Sequence, residues 1–357
     1  MRLPFISALL LVSSLASAQT SYFEDFNSGI AHGWLSDQGT WTVENGYYHG
    51  VGHLVNGRVL NVSYVNTFGG DNISVEAVMH SDAGFDDVSK MLVCRYQDPN
   101  NFMWVNFVAS DRRYMILEQV VNGVRTMLIP ENSVFIAPHG QTEWHLCRYD
   151  IDGTRVVAYF DNIEVYNHDV TGVLARPGAV GVCTYETQGG GAEEVFVDNF
   201  RSSLFDYIPS TSFSLNRGIV LDGGTASLAE NDSNYLRVRP GVVLSSSEAP
   251  VQIILEGTTP FRDAAEFRFK LEAAVSSTNL RQTTDLFNFQ TNQWEQVDTR
   301  SASLSDSRID LVFTNARFID TATGTVRARV HFKAIGPIIS YPWVARLDYA
   351  AWTVYTN

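Results

Sequence analysis

The chain has 357 residues, 45% of them hydrophobic, 12% aromatic and 18% charged, with a formal net charge of −14. That much aromatic and aliphatic content buries enough apolar area to offset chain entropy, which excludes a disordered chain. A pI near 4.9 excludes the clustered cationic surface that nucleic-acid phosphates require.

Residues 1–18 read as a secretory signal peptide. Arg2 precedes an apolar run over residues 3–15 and the small-residue triplet Ala16-Ser17-Ala18, which puts cleavage before Gln19. The run is too short to span a bilayer, and no later stretch reaches the ~20 apolar residues needed. The expectation is a soluble exported protein, extracellular or periplasmic, with no membrane span.

After residue 20, short β-branched and aromatic runs alternate with turn dipeptides. Asn45-Gly46, Asn56-Gly57, Asn122-Gly123 and Asp152-Gly153 are favoured hairpin turns. Sustained 3.6-residue periodicity is absent, so the fold class is all-β, as two β-sandwich domains in tandem. The domains are expected at 19–202 and 217–357, with a linker at 203–216, because the Ser-rich stretch there alternates little. Charge divides at the same place. Residues 19–206 hold 24 acidic and 10 basic residues, and residues 207–357 hold 15 acidic and 14 basic.

Phe23-Glu24-Asp25-Phe26 opens the first domain, followed by Gly33-Trp34 and Gly39-Thr40-Trp41-Thr42-Val43-Glu44-Asn45-Gly46. Its centre carries Arg95-Tyr96-Gln97-Asp98-Pro99-Asn100-Asn101-Phe102-Met103-Trp104, and Trp144 leads into a strand and an Asp-Gly hairpin. The end reads Gly178-Ala179-Val180-Gly181 and then Val197-Asp198-Asn199-Phe200. This succession resembles the laminin-G-like, concanavalin A-like jelly rolls of secreted bacterial proteins over residues 21–202. The resemblance implies that the first and last strands join and hold a structural calcium ion (Ca2+) near the junction. Asp25 and Asp198 are then its hard oxygen ligands, with Glu24 as a third. Alternation by itself puts Phe196, Asp198 and Phe200 on one face, so the Asp198 carboxylate needs a hydrogen-bond donor, a cation or a metal. A turn capped through backbone N–H groups is the alternative.

Sugar recognition needs flat aromatic faces beside planar polar groups, because pyranose C–H faces stack on rings while hydroxyls take bidentate hydrogen bonds. Tyr47, Tyr48, His49, Tyr96 and Trp104 are the candidate ligand-binding residues, with core burial the alternative for any one ring. In Tyr47-Tyr48, alternation turns one ring outward. An acid–base pair is not visible. Glu193 and Glu194 point to opposite faces in a strand, the wrong geometry for the ~5–5.5 Å carboxyl pair of a retaining glycosidase. The Gly-x-Ser-x-Gly, His-Glu-x-x-His and Gly-x-x-x-x-Gly-Lys motifs are missing. Cys94, Cys147 and Cys183 sit in apolar runs, which fits either buried free thiols or a Cys94–Cys147 pair.

In the second domain three groups alternate with apolar residues: Arg237 and Arg239; Arg268 and Lys270; and Arg327, Arg329, His331 and Lys333. If their strands are neighbours, they form one basic face that contacts an anionic glycan or the acidic first domain. Cross-strand acidic partners are the alternative. Residues 286–298, Tyr341-Pro342-Trp343 and residues 347–352 resemble a C-terminal β-sandwich module of secreted bacterial proteins with no established activity. The expectation is a secreted, non-catalytic protein that recognises extracellular polysaccharide through the jelly roll. A glycoside hydrolase or polysaccharide lyase, and a structural or adhesion module that binds a surface protein, are the alternatives.

Overall fold

A computed structural model describes residues 19–54, 57–82, 88–109, 113–137, 142–187, 191–336 and 342–356. The expected signal peptide, Asn56 of one hairpin turn and Tyr341 lie outside the described residues. Among the described residues, 26 strands form sheets of 13, 8 and 5 strands, and the helical structure is one 3-10 turn at Thr225–Leu228. The protein is all-β, two sandwiches in tandem, the first a jelly roll. No helix among the described residues is long and apolar enough to cross a membrane.

Period-2 alternation builds the first core. Ile73–Asp82 turns Val75, Ala77 and Met79 inward, and its neighbours set Cys147 against Ala77 and Val197 against Met79. From the opposing eight-stranded sheet, Asn101–Ala109 contributes Met103, Val105 and Phe107 to the same core. A fully buried side chain of this size contributes about 1.5–3 kcal/mol. The turns follow their chemistry: Asn45-Gly46 and Asn122-Gly123 hold positive φ at both residues, which Asn and Gly adopt at least cost. A second core, with Phe267, Phe269, Leu271, Val330, Phe332 and Trp352, fills the second sandwich.

The linker expected at 203–216 is absent. Glu194–Pro209 is one continuous 16-residue strand. Its first part pairs with Ile73–Asp82 of the first sandwich and its end pairs with Ala345–Tyr355 of the second. Ser212–Arg217 then forms an edge strand against Val251–Thr258. Alternation looked weak because the strand leaves one core, where Phe200 is buried, and enters another, where Ile208 is buried. A bulge between Asp198 and Arg201 also changes which residues face inward.

The single basic face does not form either. Leu236–Arg239 and Glu266–Val275 belong to the 13-stranded sheet, whereas Thr325–Ala334 belongs to the five-stranded sheet. Most of the cations are paired locally: Arg237 with Asp222 at 2.8 Å, Arg327 with Glu256 at 2.5 Å, and Arg329 and His331 with Asp285 at 2.6 and 2.9 Å. Lys270 reaches the first sandwich, donating to Glu164 at 2.7 Å and to the Tyr159 hydroxyl at 2.6 Å. Arg308 donates to the same Glu164 at 2.8 Å, and the Tyr355 hydroxyl donates to Asp150 at 2.8 Å.

Candidate ligand-binding face

The alternation that sends Met103, Val105 and Phe107 into the core sends Phe102, Trp104 and Asn106 to the other face of the eight-stranded sheet. Register places Val93 on one side of Trp104 and Glu118 on the other. Tyr64 stacks on Tyr96 at 4.3 Å between ring centres, Tyr96 lies 5.7 Å from Phe102, and Phe102 lies 5.2 Å from Trp104. The result is an unbroken aromatic row across this face. The Tyr96 hydroxyl donates to Asp37 at 2.9 Å, and Asp37 also pairs with Arg58. Burial, followed by the charge of Asp37, pushes the Tyr96 phenol well above its ordinary value.

Arg125 covers the far end of the row. Its guanidinium sits 5.4 Å from the Trp104 ring centre and 6.0 Å from that of Tyr185. It also donates twice to the buried Glu118, at 2.9 and 2.8 Å. Burial opposes the Arg125 charge, yet the bonds to Glu118 raise its pKa above the ordinary value. Such a fork–fork pair fixes two planar polar groups beside a ring.

Two buried atoms on this face lack a hydrogen-bond partner among the described residues. Trp104 is fully buried and its Nε1–H has no acceptor; Asn106, 7% exposed, donates to Ser89 at 2.9 Å, but its Oδ1 has no donor. An unsatisfied buried polar atom costs about 1–3 kcal/mol. Both atoms are enclosed by the surrounding side chains, so they belong to the packing beneath this face.

The five expected ligand-binding rings divide three ways. Tyr96 and Trp104 come together on the face just described, but both are buried in its hydrophobic cluster, as the core alternative had it. Tyr48 is a core residue, contrary to its inclusion among the binding candidates. It is 4% exposed, lies between Phe26 at 5.2 Å and Trp41 at 5.3 Å, and its hydroxyl is 2.7 Å from that of Ser63, so neither ring face is open. Alternation turns its neighbours Tyr47 and His49 to the outer face of the 13-stranded sheet. There Tyr47 meets Trp144 at 4.9 Å, Trp144 meets His80 at 5.3 Å, His80 meets Phe196 at 5.2 Å and Phe196 stacks on His49 at 4.3 Å. His49 is held between Glu44 and Glu194. Sequence reasoning missed Arg125, Glu118, Tyr64 and Asn106. The alternation of Ile116, Glu118 and Val120 was a usable signal, since it puts a carboxylate in an apolar stripe.

The expected calcium ligands hold turns of their own chain. Glu24 is buried and accepts from the backbone N–H groups of Phe26 and His32 at 3.2 and 3.1 Å, and it lies 2.8 Å from the His32 ring. Asp25 accepts from Asn27 N at 3.1 Å, and Asp198 accepts from Asn199 N and Nδ2 at 2.7 and 2.9 Å. Among the described residues, no three His, Cys, Asp or Glu side chains converge as a metal site requires. Cys94, Cys147 and Cys183 are free and buried, and burial pushes the Cys94 thiol up to about 11.

No protein-family model matches the chain, and no curated protein matches it. Solved structures similar to it include the carbohydrate binding module CBM66 from Bacillus subtilis, at 18% identity over 48% of this chain and 96% of that one, with a TM-score of 0.38. The apo Crh5 transglycosylase is 16% identical over 52% of this chain and 85% of its own, with a TM-score of 0.39. The Bacillus licheniformis beta-glucanase is 16% identical over 52% of this chain and 98% of its own, with a TM-score of 0.38.

Proposed function

We propose that the protein is an exported, non-catalytic polysaccharide-binding protein whose binding face is the outer face of the eight-stranded sheet. The observation that carries this reading is the aromatic row from Tyr64 to Trp104 with the exposed Arg125 forked onto Glu118 at its end. Tyr64 and Tyr185 keep part of their rings exposed on this face, where sugar C–H faces can stack while hydroxyls meet the Arg125 guanidinium. The carboxylates of this face support binding without hydrolysis. Glu118 is tied to Arg125 and Asp37 to Arg58, so neither stands ready as a general acid or base.

Affinity electrophoresis of the chain from Gln19 onward through gels containing soluble polysaccharides tests the proposal. Retardation by at least one polysaccharide is expected, relieved in Tyr64→Ala, with no release of reducing ends. Free migration in every gel, or retardation unchanged in Tyr64→Ala, would defeat it, and turnover would favour the hydrolase or lyase reading.

A further inference from the structure

A cavity of about 550 Å3 opens where the two sandwiches meet, a volume within the range of small-molecule sites. Its floor is a row of outward side chains on the 13-stranded sheet. Phe23 pairs in register with Arg201, Arg201 with Glu76, and Glu76 with Arg148. Ser74 and Ser203 lie one step along the same strands, and Glu266, Arg268 and Tyr355 of the second sandwich close the opposite side.

The three arginines are not equivalent. Arg148 donates to Asp150 at 3.0 and 3.3 Å and lies over the Tyr355 ring at 4.2 Å. Arg268 donates to Glu266 at 2.5 Å. Arg201 is exposed, lies 5.0 Å over the Phe23 ring and makes no ion pair among the described residues. Glu76 is 3.9 Å from Arg148, beyond hydrogen-bond reach. The cavity thus presents one uncommitted guanidinium, a 52% exposed ring, two hydroxyls and a carboxylate with accepting capacity to spare.

We propose that this cavity binds a uronic-acid unit of an acidic oligosaccharide. Arg201 takes the sugar carboxylate through its planar fork, as guanidinium groups do, and the Phe23 ring supports the C–H face of the sugar. Ser74 and Ser203 receive ring hydroxyls. The hydroxyl-lined wall and the open ring favour a sugar acid over an acidic peptide. The net charge of −14 on the chain repels a long polyanion, so a short oligosaccharide or a chain end is the preferred form. The site is separate from the face that carries Trp104, and the proposal stands without it.

Isothermal titration of the chain from Gln19 onward with digalacturonate and dimannuronate tests it, with neutral digalactose and tetra-aspartate as comparison probes. At least one uronate dimer is expected to bind and the two comparison probes not to. Arg201→Met is expected to weaken uronate binding about 10- to 100-fold, the loss typical of a hydrogen bond between charged groups, with Arg201→Lys retaining part of it. Glu76→Gln removes a neighbouring negative charge and is expected to tighten binding. Absence of binding by both dimers, undiminished binding in folded Arg201→Met, or equal binding of tetra-aspartate would overturn the proposal. Should Arg201→Met not fold, weaker binding in Glu76→Gln would overturn it as well.

Discussion

Lys270 of the second sandwich donates to Glu164 of the first at 2.7 Å, and the same ammonium meets the Tyr159 hydroxyl at 2.6 Å. Burial by itself would raise the Glu164 pKa, but Lys270 and Arg308 outweigh it and hold the carboxyl below its ordinary range. Lys270→Met leaves a half-buried carboxylate with one cation fewer, and breaking one side of a fully buried pair costs about 3–5 kcal/mol, an upper bound here. A lower urea midpoint at pH 7 is expected. The lowered pKa means that the pair stabilises fully above the unfolded pKa of Glu164 and is lost as pH falls through the folded one. The difference between parent and Lys270→Met should therefore narrow in acid. Equal midpoints at pH 7 would show that the junction gains nothing from this pair.

Asp152 and Asp206 form a carboxyl pair where the bridging strand crosses between cores. Burial pushes Asp152 up to about 6, with the Asp206 charge adding to the rise and the Tyr207 N–H bond, at 2.8 Å, opposing it. A raised folded pKa contributes most below the unfolded value and is lost as pH rises through about 6. Asp152→Asn keeps an acceptor for Tyr207 and removes the titration. It is expected to be more stable than the parent by about 1–2 kcal/mol at pH 8 and to lose that advantage by pH 4. Parallel stability profiles for the two proteins would contradict this.

At Gly181 the neighbouring strand approaches too closely for a side chain. A Cβ there would lie 2.0 Å from the Ser63 carbonyl oxygen, which is backbone and cannot swing away. Gly181→Ala should force apart the strands Leu60–Gly70 and Gly178–Thr187 and lower the melting temperature of the first sandwich by several degrees. An unshifted melt, measured by calorimetry, would show that the strands separate without penalty.

All three thiols are buried, and desolvation disfavours their thiolates. Native protein should resist a thiol-specific reagent, and three thiols should react once guanidinium unfolds the chain. One reactive thiol after unfolding would indicate a disulfide.

Calcium at the Asp25–Asp198 junction has a direct test. Because Glu24, Asp25 and Asp198 already accept hydrogen bonds from their own turns, chelation is expected to leave the melting temperature unchanged. A fall on chelation that calcium reverses, and that is missing in Asp198→Ala, would place the ion at this junction.

Much of the architecture was legible because it is local. Alternation with period 2 is visible in any short window, and Asn-Gly turns carry their backbone preference in two residues. The all-β class followed from those signals, as did the outward turn of one ring in Tyr47-Tyr48. Which of the two turned outward was not legible, because Tyr48 is fixed by Phe26 and Trp41, supplied by other strands.

By itself the sequence determined the strands, the hairpin turns and the supply of rings, arginines and carboxylates. Only the tertiary structure decided which of them meet. Strand register joined Trp104 to Glu118 and Phe23 to Arg201 and Glu76, and a bulge after Asp198 changed the facing of a strand that then served both sandwiches. The reason is physical: a one-residue change of register moves every following side chain to the opposite face. Register between distant strands is set by the packing of both cores together, which no short window of sequence contains.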